Sequence, residues 1–203
     1  KEMKNIIKLG LILGLFAVVS CALLAVVNNF TAPVIKKLEA EKEQQALKMV
    51  LPSASQYIAA DSETVNAAIA SSGINLGSTV ISGIFKAVDE NNETIGYAAN
   101  ITGPTFETST ILLGMDTDMT ITGINILKTT DTPGGQKMKD YKTSKASSNK
   151  SFTEQFAGVK PFESFEDGKD YETISGATLS SAGISNMIKL GIGVIKTYAA
   201  KNK

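Results

Sequence analysis

The chain has 203 residues, of which 43% are hydrophobic, and its 20 basic and 20 acidic residues cancel to a formal net charge of zero. This length suffices for one domain of ordinary size with an appendage, and a neutral chain has no global field to recruit nucleic acid. The sequence contains no His, no Trp and no Arg, and its one cysteine is Cys21. Such a composition excludes zinc, haem and iron–sulfur ligation and a His-assisted nucleophile. We therefore expect no metal site and no catalytic side chains, and any redox chemistry requires a bound organic cofactor.

The first predicted element is a membrane anchor over residues 1–30. Residues 9–27 carry no charged side chain, and a run of this length can cross a bilayer as a helix. A cleaved signal peptide is the alternative, because residues 18–21 have the form of a lipoprotein cleavage box. The apolar run continues beyond that box to Val27, which favours an uncleaved anchor.

The charges beside the anchor predict its orientation. Lys1, Lys4 and Lys8 precede the apolar run, whereas Lys36 and Lys37 follow it. Positive residues stay preferentially on the cytoplasmic side, although the second pair weakens the asymmetry. The sequence therefore predicts a single-pass protein of the cell membrane, with a cytoplasmic N-terminus and an extracytoplasmic C-terminal domain.

Residues 31–52 are predicted to form a separate juxtamembrane helix. Pro33 is placed at its start and Pro52 closes it, because proline is tolerated in the first helical turn but not in the interior. The remaining residues, 53–203, are assigned to one domain. Its first part is rich in Ala, Ser, Asn and Gly, and it indicates only a short helix near residues 62–70.

Residues 80–128 alternate between apolar and polar side chains in the manner of strands. The segments are residues 80–88, 94–101, 109–114 and 119–127, and acidic turns at residues 89–93 and 115–118 separate the members of each pair. These turns are interpreted as solvated turns, since the second lacks the further ligands of a calcium loop. The predicted fold class is α+β: one N-terminal transmembrane helix, then an antiparallel sheet and a C-terminal helix.

The motif S-G-A-T-L-S-S at residues 175–181 stands where a loop becomes the C-terminal helix. Apolar residues at helical spacing follow it, including Ile184, Ile188 and Ile195. The free N–H groups and the positive dipole end of a helix favour an anion such as phosphate. Ser and Thr are also ordinary N-cap residues, so the residues alone leave a phosphate site and a simple cap both open.

S-G-A-T followed by a hydroxyl pair resembles the flavinylation motif of the membrane-anchored FMN-binding subunits of Rnf and Na+-translocating quinone reductase complexes. A second stretch, T-D-T-P-G-G at residues 130–135, resembles the E-T-P-G-L sequence of the same family. The resemblance implies that Thr178 carries FMN covalently, through a phosphoester bond to its hydroxyl. It implies further cofactor-binding residues in both stretches: Ser175, Gly176, Ala177, Leu179, Ser180, Ser181, Asp131, Thr132, Pro133, Gly134 and Gly135.

Three positions depart from the family pattern. Asp131 stands where Glu is usual and Glu172 where Asp is usual, so both keep a carboxylate. Gly135 replaces a usual Leu, which removes a side chain that could cover the flavin. Between the two motifs lie Lys137, Lys139, Lys142, Lys145 and Lys150. They form either a solvated basic face or a counter-charge for a reduced, anionic flavin.

The resemblance also implies a function. The chain would be the FMN-carrying electron-transfer subunit of an ion-translocating ferredoxin:NAD oxidoreductase, or Rnf, complex, without independent catalysis. Its partners would be other membrane and peripheral subunits, the lipid bilayer and a flavin transferase that moves FMN from FAD onto Thr178, since a Thr without a His base cannot attack a phosphoanhydride by itself. Nucleic acid is not expected.

Two alternatives remain at this point. The first is the FMN-carrying subunit of Na+-translocating NADH:quinone reductase, or another extracytoplasmic flavoprotein. The second is a non-enzymatic, pilin-like surface protein, which would also combine an apolar N-terminal helix with a β-rich domain but would bind no chromophore.

Overall fold

The N-terminal element is a single long helix. The computed structural model describes residues 2–132, 134–140, 151–160 and 171–202, and α1 runs from Glu2 to Val50. The predicted anchor and juxtamembrane helix are therefore continuous, and Pro33 lies inside α1 rather than at its start. Within α1, the stretch from Ile7 contains an 18-residue window of mean hydropathy 2.7, none of it buried. This length and apolar surface are those of a membrane anchor.

The compact domain extends over Gln44–Lys203, so it begins before the predicted boundary at residue 53. Its sheet is an antiparallel meander in the order β1-β2-β3-β4-β5. The α+β class is confirmed, and β2–β5 correspond to the four predicted strands. The elements are β1 Gln56–Ala59, α2 Ser62–Ser72, β2 Val80–Val88, β3 Thr94–Pro104, β4 Thr108–Asp116, β5 Ile121–Thr129, α3 Gly134–Asp140, a 3-10 helix at Glu154–Phe156, and α4 Thr178–Lys201.

One face of the sheet is covered by α4. Strand alternation directs Ile101 and Leu113 to this face, where they join Ile184, Ile188 and Ile195 of α4 in the main core. Helix α4 is itself long and apolar enough to cross a membrane, with a mean hydropathy of 1.2, but more than half of that window is buried in the domain. It is therefore a core helix, and its first turn is fixed at one edge of the sheet.

The opposite face of the sheet is covered by the last turns of α1. Leu47, Val50 and Leu51 are buried there with Ala98 and Leu112 of the central strands. The close approach depends on glycine: a Cβ atom built at Gly114 would lie 2.8 Å from Cβ of Val50. The sheet is thus buried on both faces, which explains why its central strands have few polar residues.

Candidate functional site

Three chain segments meet at the start of α4. They are the β3–β4 turn at residues 105–107, the connection from β5 into α3 at residues 130–134, and the turn that precedes α4. Because the sheet is a meander, the β3–β4 turn and the end of β5 lie at the same end of the sheet. Thr130 N donates a hydrogen bond to the carbonyl of Thr108 there, at 3.0 Å. A hydrogen bond from Ser180 Oγ to Asp131 Oδ2 brings the two predicted motifs together.

The S-G-A-T segment enters α4 through a tight turn. The N–H of Ala177 donates to the carbonyl of Ile174 at 2.9 Å, and Gly176 has φ of +74°. Gly176 occupies the third position of this turn, where type II turns need a positive φ that only glycine adopts without strain. Ala177 is the N-cap of α4 and makes no side-chain capping bond, so none of the hydroxyls acts as the simple cap considered above.

Thr178 is the first residue of α4 and is exposed. Its hydroxyl and that of Ser175 make no hydrogen bond to another described residue, and neither do the N–H groups of Thr178, Leu179 and Ser180. These N–H groups belong to the first helical turn, which has no intrahelical acceptors. A free hydroxyl therefore stands at the positive end of a 24-residue helix.

A surface pocket of about 300 Å³ opens at this point. Two exposed apolar side chains border it, Phe106 at 59% and Leu179 at 63% exposure. Phe106 was not among the predicted site residues, although an aromatic residue in an otherwise polar turn between two strands was the available signal. The predicted residues that line the pocket are Thr132, Gly134, Gly176, Ala177, Thr178, Leu179 and Ser180.

Asp131 ties the three segments together beneath the pocket. It is 3% exposed, and its carboxylate accepts hydrogen bonds from Thr105 Oγ1 at 2.7 Å, Glu107 N at 2.8 Å, Phe106 N at 3.2 Å and Ser180 Oγ at 2.5 Å. Burial raises the pKa of Asp131, but these donors outweigh burial and hold the pKa below its ordinary value. Asp131 therefore holds the three segments in place by hydrogen bonds, and it does not line the pocket.

Ser181 and Gly135, two further predicted site residues, are not among the residues that line the pocket. Ser181 is fully buried; its hydroxyl donates to the carbonyl of Ala177 at 2.9 Å and accepts from Ile174 N at 3.2 Å. Gly135 is buried too, and a Cβ atom there would lie 2.5 Å from Thr129 Cγ2. The missing leucine side chain at residue 135 has no space in this fold, and Phe106 supplies an apolar surface at the pocket instead.

One lysine of the predicted basic segment reaches the site. Lys137 on α3 is half-buried, and its Nζ would lie 2.6 Å from a Cβ atom built at Gly176. Pro133, Lys142, Lys145 and Lys150, by contrast, lie outside the described residues, as does the Lys139 side chain.

Comparison with known proteins identifies two regions of the chain. Residues 1–50 match the model of the RnfG N-terminal region, and residues 96–193 match the model of the FMN-binding domain. The chain thus combines an RnfG N-terminal region with an FMN-binding domain. The second match covers the sheet from β3 onwards, the pocket and most of α4, so this pocket lies within the FMN-binding domain.

Relatives from ion-translocating complexes match along nearly the whole chain. A subunit of the Na+-translocating ferredoxin:NAD+ oxidoreductase complex of Acetobacterium woodii is 28% identical over 201 residues, which cover 98% of this chain and 95% of that protein. A subunit of the ion-translocating oxidoreductase complex of Methanosarcina acetivorans is 27% identical over 199 residues, 96% of each chain. The alignments extend over both the anchor and the domain, so the two parts occur together in these relatives.

A solved structure has the same fold. The crystal structure of Shewanella oneidensis NqrC superposes with a TM-score of 0.52 over 80% of this chain and 98% of its own, at 14% sequence identity. At that identity the match establishes the architecture alone. The RnfG relationship rests on the family models and on the near full-length relatives.

Proposed function

We propose that this protein carries FMN as a phosphoester on Thr178 and transfers electrons within a membrane-bound ion-translocating ferredoxin:NAD oxidoreductase complex. When bound, FMN supplies redox chemistry for which a chain without His, and with a single Cys in its membrane helix, has no side chains of its own. The protein is a redox subunit of that complex rather than an independent enzyme. The RnfG anchor region and the near full-length relatives from such complexes favour this assignment over a quinone reductase.

The proposal rests on the exposure and hydrogen bonding of the Thr178 hydroxyl. Its hydroxyl is exposed and makes no hydrogen bond to the described residues, and it stands beside N–H groups that equally lack an acceptor there. A phosphate on this oxygen would accept hydrogen bonds from those N–H groups, each worth about 1.5–3 kcal/mol before competition from solvent. No other hydroxyl in the motif combines exposure with this position on the helix.

The pocket fits the flat, partly apolar ring of a flavin. Its volume of about 300 Å³ lies at the lower end of ligand pockets, so a large ligand would remain partly exposed. Phe106 and Leu179 offer exposed apolar surface, and Gly134 and Gly176 contribute backbone to the lining. Partial exposure suits a carrier, because a redox partner must come close to the ring.

Attachment requires a second protein. The buried carboxylate at the site, Asp131, accepts from Ser180 and from the β3–β4 turn, and nothing in its contacts reaches Thr178. The chain has no His to act as a base, and an unactivated Thr hydroxyl is a weak nucleophile. A flavin transferase is accordingly included among the proposed partners, with FAD as the donor.

Mass spectrometry of the peptide spanning residues 170–189 tests the attachment. We expect an FMN-sized mass addition in wild type matured with its transferase, and none in Thr178→Ala, which should remain folded and membrane-inserted. Ser175→Ala is the matched control, because it removes another exposed, unbonded hydroxyl from the same motif and should keep the addition. An addition that persists in Thr178→Ala, or is missing from wild type, would contradict the proposal.

We further propose that the domain is extracytoplasmic and the N-terminus cytoplasmic. The lysines before the apolar run support this orientation. Protease added to right-side-out vesicles should then digest the domain while the anchor survives. Complete protection of the domain, in vesicles shown to be sealed by a cytoplasmic marker, would reverse the assigned topology.

A further inference from the structure

Lys137 places a positive charge against the turn that carries Thr178. Its side chain extends from α3, and its Nζ and Cε would lie 2.6 and 3.9 Å from a Cβ atom built at Gly176. The ammonium thus lies directly beside the backbone of Gly176. The positive φ of Gly176 favours glycine at this position.

This ammonium has no anionic partner in the described part of the chain. The one salt bridge found there joins Lys37 and Glu41, far away in sequence on α1. Asp131, the buried carboxylate of the site, is fully engaged by four hydrogen-bond donors. Among the described residues, this half-buried lysine has no counter-ion and the neighbouring N–H groups have no acceptors, so together they form a local excess of positive charge.

We propose that Lys137 is a positioning residue that pairs with the phosphate of FMN bound to Thr178. This inference rests on the function proposed above. A phosphate esterified to both riboflavin and Thr178 is a diester with a single negative charge throughout the physiological pH range. The chain has no Arg that could provide a bidentate contact, so a lysine held beside the turn supplies the opposite charge. Lys137 would restrict the motion of the tethered flavin.

The position of Lys137 favours an ion pair with the phosphate of FMN rather than with its flavin ring. Gly176 is two residues from Thr178, on the turn that directs the hydroxyl, whereas the apolar surfaces suited to the ring belong to Phe106 and Leu179. A cation beside the phosphate fixes the tether and leaves the electronic properties of the ring nearly unchanged. A cation beside the ring would stabilise its reduced, anionic form and raise the midpoint potential.

The test uses the full-length protein matured with its transferase and compares wild type, Lys137→Gln and Lys137→Arg. Lys189→Gln is the matched control, because Lys189 is an exposed lysine further along α4. Mass spectrometry first establishes that each protein carries FMN on Thr178. The readouts are the ³¹P resonance of the phosphodiester, the fluorescence anisotropy decay of the flavin and its midpoint potential.

We expect Lys137→Gln to shift the ³¹P resonance and to increase the freely rotating flavin fraction by about two- to five-fold, as for a partly exposed ion pair. Lys137→Arg and Lys189→Gln should match wild type, and the difference should shrink at about 1 M salt because charges are screened. Unchanged ³¹P and anisotropy signals in Lys137→Gln, or a change in midpoint potential alone, would overturn the inference. Loss of FMN from wild-type Thr178 would instead refute the proposed function, so the two failures are distinguishable.

Discussion

Asp131 Oδ2 and Ser180 Oγ lie 2.5 Å apart although 49 positions separate them in the chain. This hydrogen bond joins the second predicted motif to the first turn of α4, and the same carboxylate holds the backbone of Phe106 and Glu107. The geometry of the pocket therefore depends on a residue that does not line it.

Asp131→Asn should destabilise the domain by about 2–3 kcal/mol. An amide can still accept from Thr105 and Glu107, but its NH2 group would face the N–H of Phe106, which then loses its acceptor in a partly buried turn. Urea denaturation of the full-length protein in detergent measures the change. Asp118→Asn, in the exposed turn between β4 and β5, is the control and should unfold like wild type.

The same carboxylate should make stability depend on pH. Because its pKa is lower in the folded state than in the unfolded state, its ionised form stabilises the fold above the ordinary aspartate pKa of about 4. That contribution is lost as the pH falls through the ordinary value towards the folded one. Wild type should therefore lose more stability than Asp131→Asn between neutral pH and pH values below about 4. Parallel pH profiles of the two proteins would contradict this assignment.

Ser180→Ala and Ser181→Ala should each lower the stability of the domain without preventing flavin attachment. Removing the Ser181 hydroxyl leaves the N–H of Ile174 without an acceptor in a buried setting, at a cost of about 1–3 kcal/mol. Removing the Ser180 hydroxyl takes away one of four donors to the Asp131 carboxylate and should cost about 1.5–3 kcal/mol. Urea denaturation gives the stabilities, and in-gel fluorescence after denaturation gives the attached flavin. A wild-type midpoint for Ser181→Ala would show that its hydroxyl is not needed.

The sequence predicted most of the sheet, and the reasons for its failures are physical. The strands from residue 80 onward were found because local alternation and polar turns define them. Strand β1 was missed because its four residues become a strand only by pairing with β2, from Gln56 opposite Val88 to Ala59 opposite Phe85. Pro33 was wrongly placed at a helix start because proline is common in the first turn, but α1 continues through it and loses a single backbone donor.

The site was predicted only in part, because some of its residues are contiguous in the sequence and others are brought together by the fold. The S-G-A-T motif identified Thr178 because its residues are contiguous, and their order alone carries the resemblance. Phe106 lies at the pocket because the β3–β4 hairpin brings it there. Ser181 is buried, away from the pocket, because of its position around the axis of α4. Contacts between distant segments and the direction of a side chain on a helix both require the fold. Neither is encoded by spacing within one motif.

The final prediction concerns the packing of α1 against the sheet. Gly114→Ala should destabilise the domain by about 1–3 kcal/mol, because the new Cβ would lie 2.8 Å from Cβ of Val50 and from Oγ1 of Thr122. Gly83→Ala is the matched control, since the atom nearest to a Cβ there belongs to Phe85 at 3.5 Å, an ordinary contact. Urea denaturation of the full-length protein in detergent compares the two variants.

A double-mutant cycle identifies Val50 as the partner in this contact. Val50→Gly removes both the Cβ atom and the methyl groups that the new Cβ would meet, so Gly114→Ala should cost less in the Val50→Gly background than in wild type. The coupling free energy should be about 0.5–3 kcal/mol, as for residues in direct contact. Strict additivity would mean that the collision with Thr122, or a change in the backbone of β4, causes the loss instead. Coupling would establish that the last turn of α1 is part of the domain core, because Val50 lies on that turn and Gly114 lies in the middle of the sheet.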